Sequence, residues 1–193
     1  MCWLWTTDTD YLTWGADIDY GATYPMGGDE ALSDTPVDPN SGTPLYRSNS
    51  GLKRFRKFHS PPFSPGIVVD KLWQDIILKF VPADRVQFYP VRLIARGEAT
   101  EEFAWVIPFD RVRCIDMEHS EILDKTEKPG FLYIWKLGKF YHIPGCLGGL
   151  HLARDEYKLH HLLVSDELKA ALEATGAGNL FHKPEETPER TTH

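Results

Sequence analysis

Two segments of the chain share one local pattern, and this pattern constrains the fold more than any other feature of the sequence. Each segment begins with three apolar residues, 67–69 and 162–164, and the second of these runs belongs to a predicted short strand over 161–164. A helix-capping residue follows directly, Asp70 in the first segment and Ser165 in the second. The chain thus repeats one apolar run, cap and helix unit, and two such units are too few to predict a repeat fold.

Further helix and strand patterns cover most of the chain after residue 66. Apolar residues at three- and four-residue spacing predict a helix over 70–81, ended by Pro82, and another over 166–175, ended by Gly176. Runs rich in aromatic and β-branched residues predict strands, and Pro90 indicates an edge position or a bulge in the first. The predicted strands are 86–94, 103–109, 112–115, 131–137, 140–143 and 161–164.

The order of these elements predicts an α+β fold. We expect an antiparallel or mixed sheet of about five to six strands, with two main helices packed on it. Strands 131–137 and 140–143 face each other across Gly138 and Lys139, which is hairpin spacing. At 193 residues the chain is long enough for one domain that folds without disulfides or metal.

The predicted domain covers residues 61–182, with a different kind of segment on each side. Residues 1–60 form an acidic, aromatic N-terminal arm followed by a loop region rich in glycine and proline. Residues 183–193 are polar, contain Pro184 and Pro188, and are expected to be disordered.

Charge sets the arm apart from the rest of the chain. The first 50 residues contain eight acidic residues and one basic residue, so they account for the whole formal net charge of −7. The arm has too many aromatic residues for a solvated tail, so these residues either dock it on the domain or form a patch for a basic partner. The candidate partner-binding residues in the arm are Trp3, Trp5, Asp8, Asp10, Trp14, Asp17 and Asp19.

A second acidic cluster lies in the predicted domain. It contains Asp116, Glu118, Glu121 and Asp124, four acids within nine residues. We interpret it first as an exposed turn, and second as a partner contact in which Asp116 and Glu118 take part; paired carboxylates for acid–base catalysis are the third interpretation. A basic and aromatic run over 53–58 is too small to predict nucleic-acid binding in a chain of this net charge.

Cysteines and histidines raise the question of a catalytic or metal site. His142, His151 and His160 recur every nine residues, which matches neither helical metal pairs nor zinc fingers. Cys114 lies in an apolar run and is expected to be a buried hydrophobe, whereas Cys146 lies in a glycine-rich loop where a thiol can be reactive. We therefore expect neither a metal nor a cofactor, and we expect no catalytic residues.

The cellular compartment of the protein is predicted from sequence features that the chain lacks. The chain has three cysteines, Cys2, Cys114 and Cys146, and no Cys-x-x-Cys pair, which favours a reducing compartment. The N-terminus has no signal-peptide pattern, and no run of 18 apolar residues predicts a membrane span. The expectation is a cytoplasmic protein that does not interact with membranes.

A series of short motifs resembles the immunity protein 11 family of bacterial polymorphic toxin systems. The resemblance covers roughly residues 66–182 and leaves the arm uncovered. Its motifs are Val69-Asp70-x-Leu72, Val86-x-Phe88-x-Pro90-Val91, Trp105-Val106-Ile107, Cys114-Ile115-Asp116-Met117-Glu118-His119-Ser120-Glu121, and Leu163-Val164-Ser165-Asp166-Glu167-Leu168-Lys169 followed by Gly176 and Asn179-Leu180-Phe181.

The resemblance implies an antidote rather than an enzyme. A protein of this family is a cytosolic binder that neutralises a cognate toxin by direct contact, and a basic toxin would suit the acidic arm. The resemblance implies no reaction and no contact residues, and homo-oligomerisation stays open. The alternative from another class is a metal- or thiol-dependent hydrolase that uses the His142, His151 and His160 series or the region of Cys146.

Overall fold

The computed structural model describes residues 2–6, 18–19, 33–61, 66–176 and 180–183, with the backbone alone for 18–19. Within these residues the chain forms twelve strands and three α-helices. The strands are β1 (Cys2–Trp5), β2 (Ile18–Asp19), β3 (Leu45–Ser48), β4 (Val68–Asp70), β5 (Val86–Ala95), β6 (Glu98–Pro108), β7 (Arg111–Val112), β8 (Ile122–Lys128), β9 (Phe131–Leu137), β10 (Leu152–Asp155), β11 (Leu162–Ser165) and β12 (Phe181–His182). The helices are α1 (Leu52–Phe55), α2 (Lys71–Ile77) and α3 (Asp166–Glu173).

The strands form two five-stranded mixed sheets and one two-stranded sheet. The first sheet has the order β12-β1-β11-β10-β7, with only the β10–β7 pair parallel. The second has the order β2-β3-β5-β6-β4, with only the β3–β5 pair parallel. Strands β8 and β9 form an antiparallel hairpin. The α+β class is confirmed, but the single sheet of five to six strands with two helices on it was wrong.

The expected single sheet was wrong because strands of the first sheet are buried on both faces. In β11, Leu162 and Val164 point to one core and Leu163 points to another, as the two-residue period of a strand requires. The apolar residues of the chain are therefore divided among three cores. A periodicity argument counts buried residues but does not show which of several cores each residue joins.

The central core joins both large sheets and the two longer helices. Trp5 of β1 packs 5.5 Å from Trp73 of α2 and 5.5 Å from Phe181 of β12, measured between ring centroids. Trp73 also donates a hydrogen bond from Nε1 to Thr175 Oγ1 at 2.9 Å. Because the three rings come from the first strand, a middle helix and the last strand, this cluster fixes the two ends of the described chain against its centre.

The two predicted helix starts are confirmed. Asp70 Oδ1 accepts a hydrogen bond from the backbone N–H of Trp73 at 3.0 Å, and Ser165 Oγ accepts one from the N–H of Leu168 at 3.2 Å. Both helices end earlier than predicted, and Gly176 follows α3 with a φ of +89°. None of the helices in the described residues is long and apolar enough to cross a membrane.

The predicted hairpin partner of β9 was wrong. β9 pairs with β8 through a turn at residues 129–130, where Gly130 has a φ of +76°. The segment 140–143 makes a single bridge, between His142 and Ile115. The sequence pattern did not predict strand β8, because most of its side chains are polar and exposed.

Two other predicted strand features also need revision. Strand β7 is shorter than the predicted 112–115, because the chain turns away after Val112. Strand β5 is internal, but its pairing with β3 starts only at Arg92, so Pro90 is paired with β6 alone. A register shift between Val91 and Leu93 is consistent with the predicted bulge.

The arm and the tail are described only in part. Strands β1 and β3, which belong to the predicted arm and loop region, pair with strands of the predicted domain. The residues after Lys183 lie outside the described part of the chain, so the disorder of the tail stays a prediction.

Replacing Trp5 with Ala should lower the free energy of unfolding by about 3–5 kcal/mol, the usual cost of removing a buried aromatic side chain. Trp5 is 1% exposed and contacts two aromatic rings. Trp135→Ala is the matched control, because that strand tryptophan is 57% exposed, and we expect a loss below about 1 kcal/mol. Urea denaturation followed by circular dichroism measures both, and equal losses would contradict the role of the Trp5 cluster.

Candidate functional site

The two described tryptophans of the arm pack on the domain. Trp3 donates a hydrogen bond from Nε1 to Asp166 Oδ1 at 2.8 Å, and the ammonium of Lys169 lies 4.3 Å from its ring centroid. Trp5 is buried in the central core. Trp5 is therefore inaccessible to a partner of the folded protein, and the side chain of Trp3 already contacts α3.

The remaining arm candidates are largely outside the described residues. These are Asp8, Asp10, Trp14 and Asp17. The backbone of Asp19 pairs with that of Arg47 between β2 and β3, and its side chain is not described. A role for the acidic arm in binding therefore stays a prediction.

The other two predicted contact residues lie in a turn before β8. Asp116 Oδ1 accepts hydrogen bonds from the N–H groups of Glu118 and His119 at 3.0 and 3.2 Å, and its Oδ2 lies 2.8 Å from His119 Nδ1. The bond from His119 lowers the pKa of Asp116, and the same bond raises the pKa of His119. The side chain of Asp116 thus closes the turn, while Glu118 and His119 face solvent.

The hairpin β8–β9 carries an apolar surface that sequence analysis did not single out. We call Leu123, Phe131 and Trp135 the hairpin surface; they are 50%, 53% and 57% exposed. The ring of Trp135 packs edge-on against Tyr133 at 4.6 Å, and its Nε1 donates a hydrogen bond to Thr126 Oγ1 at 2.8 Å. Phe131 and Trp135 lie on the same face of β9, and exposed apolar side chains that share a face mark interaction sites more often than scattered ones.

Buried residues of β9 anchor the hairpin to the body of the protein. Ile134 and Leu137 are buried in a third core, beneath the first sheet, with Phe140. The backbone N–H of Ile134 donates to the carbonyl of Tyr157 at 2.7 Å, and Lys158 Nζ donates to the carbonyl of Trp135 at 2.8 Å. The hairpin surface is therefore presented on a fixed support.

Sequence analysis predicted the strand 131–137 but not the exposure of its aromatic residues. Phe131, Tyr133 and Trp135 alternate with Leu132 and Ile134, so both faces of the strand are apolar. Such a strand is typical of a buried sheet. Only the polar character of β8, the partner strand, could have indicated that one face is open to solvent.

The three cysteines lie far apart in the sequence but converge in space. Cys114 and Cys146 form a disulfide bond, and the sulfur of Cys2 lies 3.5 Å from that of Cys146. All three sulfur atoms lie within 4.8 Å of one another. Cys114 is buried, as predicted, but it is bonded to Cys146 rather than being an inert hydrophobe.

His142 lies beside this cysteine cluster. Its Nδ1 lies at hydrogen-bond distance, 3.0 Å, from the Cys2 sulfur, and its buried Nε2 has no hydrogen-bond partner among the described residues. Burial lowers the pKa of His142 to about 4 and raises the pKa of Cys2 to about 11. Both groups are therefore neutral near pH 7 in this arrangement.

A buried carboxylate holds the backbone on the other side of the cluster. Asp155 Oδ2 accepts hydrogen bonds from the N–H groups of Cys114 and Ile115 at 3.0 and 3.1 Å, and its Oδ1 accepts from Tyr157 and Lys158 at 2.8 and 3.0 Å. Burial raises the pKa of Asp155, and these four bonds oppose the rise. The position of Cys114 thus depends on a completed set of hydrogen bonds.

The nine-residue histidine series does not form a metal cluster in the described part of the chain. His151 lies 2.9 Å from Ser165 Oγ and packs edge-on against Phe80, and His160 lies in the exposed turn before β11. The one group of three or more potential metal ligands found among the described residues is that of the three cysteines.

Comparison with known proteins adds no assignment to this geometry. No protein-family model matches the chain, and a search of curated proteins found no similar sequence.

Replacing Asp116 with Asn should lower the pKa of His119 toward its ordinary value of 6.5, because the bond that raises it is lost. In the native turn, the attraction between the His119 imidazolium and the Asp116 carboxylate weakens as the pH rises through the raised pKa of His119. The same attraction weakens as the pH falls through the lowered pKa of Asp116. An NMR titration of the His119 ring protons measures the change. Glu118→Gln is the control and should change the pKa much less, since Glu118 makes the smallest contribution.

Proposed function

We propose that this chain is an immunity protein that binds and neutralises a cognate bacterial toxin by direct protein contact in the cytoplasm of the producing cell. The hairpin surface is the observation that carries the proposal, because it presents aromatic side chains to solvent from a fixed support. The ordered motifs that resemble the immunity protein 11 family supply the biological context.

The composition of the hairpin surface suits a tight protein complex. Trp135 is the kind of residue that dominates binding energy at interfaces, and a neighbouring Phe131 extends the apolar area. Trp135 is already oriented by its contacts with Tyr133 and Thr126. A side chain that is ordered before binding loses less conformational entropy when the partner docks.

Charged residues surround the apolar surface. Lys125 and Glu127 form an ion pair at 2.7 Å on β8, and Asp124 lies beside them on the same strand. The turn that contains Asp116 and Glu118 leads directly into β8, so acidic side chains predominate at the base of the hairpin. Strands β8 and β9 themselves carry two acids and three lysines, so the rim of the apolar anchors is mixed in charge, and the acids at the base of the hairpin are the part that favours a basic partner surface and faster association.

The function is tested by co-expression with the products of adjacent genes. We expect the protein to restore growth to cells that express one of these products and to form a complex with it. Failure to restore growth against every toxic neighbour would overturn the proposed function.

Trp135→Ala should weaken the complex by about 2 kcal/mol or more, roughly a thirty-fold rise in Kd, because a central aromatic anchor is lost. Phe131→Ala should weaken it less, and both changes should act mainly on the dissociation rate. Surface plasmon resonance with the purified toxin measures both rates.

Leu72→Ala is the matched control, because Leu72 on α2 is 47% exposed but lies outside the hairpin. We expect it to leave Kd within about twofold of the wild-type value. If growth is restored and neither hairpin variant changes Kd, the hairpin is not the interface, and the proposed function stands on other contacts such as the acidic arm.

A further inference from the structure

The cysteine cluster has a geometry that the proposed toxin-binding role does not use. We propose that Cys2, Cys114, Cys146 and His142 form a zinc site when the Cys114–Cys146 disulfide is reduced. The site brings together the strand β1, the segment after β7 and the glycine-rich loop before β10. It shares no residue with the hairpin surface.

The distances already approximate those of a shared metal. Ligand atoms around a tetrahedral zinc, at about 2.3 Å for sulfur and 2.0–2.1 Å for nitrogen, stand roughly 3.5–3.8 Å apart. The sulfurs of Cys2 and Cys146 are 3.5 Å apart, and the three sulfurs lie within 4.8 Å of one another. His142 Nδ1 lies 3.0 Å from the Cys2 sulfur but outside this group, so the imidazole has to move toward the other two sulfurs to become the fourth ligand. Once the disulfide is reduced, the sulfurs of Cys114 and Cys146 need to move apart only from bonding distance to the spacing of two ligands on one zinc ion.

The scaffold holds the four residues from three directions. Cys2 is placed by the pairing of β1 with β11, opposite Ser165. The backbone N–H of Ile143 donates to the carbonyl of Cys114 at 2.7 Å, which brings the His142 segment next to Cys114. His142 and Cys146 are separated by three residues, a spacing that places two ligands from one loop on one metal.

The choice of metal follows from the donor atoms. Three thiolates and an imidazole are soft or borderline ligands, which suit zinc and are unsuited to magnesium or calcium. Four protein ligands leave no open position for a water molecule. The site is therefore structural in character, and differs from the zinc site of a hydrolase, which keeps one position open.

The disulfide form becomes the zinc form by reduction and then by metal binding. A dithiol reductant transfers two electrons and two protons to the Cys114–Cys146 bond, which yields two thiols and the cyclic disulfide of the reductant. Zn²⁺ then displaces the protons of Cys2, Cys114 and Cys146 to solvent, and His142 binds through a neutral nitrogen. The disulfide thus joins the segments of Cys114 and Cys146, and zinc would join these two segments to Cys2 of β1 and to His142 as well.

The first test is metal binding by the untagged full-length chain. Protein reduced with a dithiol and then freed of the reductant should bind zinc in an equimolar ratio by elemental analysis, and the oxidised protein should bind none. Cobalt(II) in place of zinc should show thiolate-to-metal charge-transfer absorption together with the visible bands of a tetrahedral site. These spectra report on ligand type and would not arise from surface histidines.

The second test uses variants. Cys2→Ser and His142→Ala should each weaken zinc binding at least about 100-fold, since even residues that only support a ligand are worth about 10–100-fold. His151→Ala is the matched control and should keep the wild-type affinity, because His151 contacts Ser165 and Phe80 instead. Thermal melting of each oxidised, metal-free variant verifies that it folds.

Three results would overturn the proposal. The first is a reduced, folded protein that binds no zinc. The second is unchanged zinc affinity after Cys2→Ser. The third is a disulfide between Cys114 and Cys146 that resists the reductant in the folded protein, as shown by alkylation and peptide mass spectrometry. Recovery of a Cys2–Cys146 disulfide in place of metal binding would assign the cluster to thiol–disulfide exchange.

Discussion

The packing of Trp5 against Trp73 and Phe181 is the interaction on which the rest of the described structure depends. These rings belong to β1, α2 and β12, and they close the central core between two sheets whose strands come from distant parts of the chain. Burial of large aromatic surfaces is the main favourable term for such non-local contacts, because it must offset the entropy of closing long loops. Without this core the two sheets would share few contacts.

Burial on both faces of the first sheet has a consequence for the protein surface. Because Leu163 points away from the central core, a third core is needed beneath that sheet, and Ile134 and Leu137 of the hairpin help to fill it. The strand period places Phe131, Tyr133, Trp135 and Leu137 on the face of β9 opposite Ile134, and on that face Tyr133 and Leu137 are buried while Phe131 and Trp135 are exposed. The packing around the hairpin, and not the strand period alone, therefore decides which of these side chains remain open to solvent.

Local signals in the sequence were sufficient for the features that depend on neighbouring residues. Asp70 and Ser165 cap helices because a side-chain oxygen reaches an N–H three residues along, which is visible in the sequence. Pairing between distant segments has no such signal. Cys2 meets Cys146 across 144 positions only because β1 is inserted beside β11, and no cysteine spacing could have shown this.

The cysteine cluster and the hairpin are two parts of one core. Cys114 is a member of the third core together with Leu137, and Cys2 and Cys146 pack against it. The disulfide joins the segment of Cys114 to the loop of Cys146 at this core, and zinc would in addition hold β1 through Cys2. Because Ile134 and Leu137 of the hairpin belong to the same core, the hairpin and the cross-link pack on shared residues. The chemistry of three sulfur atoms and the presentation of Trp135 are therefore properties of the same packed unit.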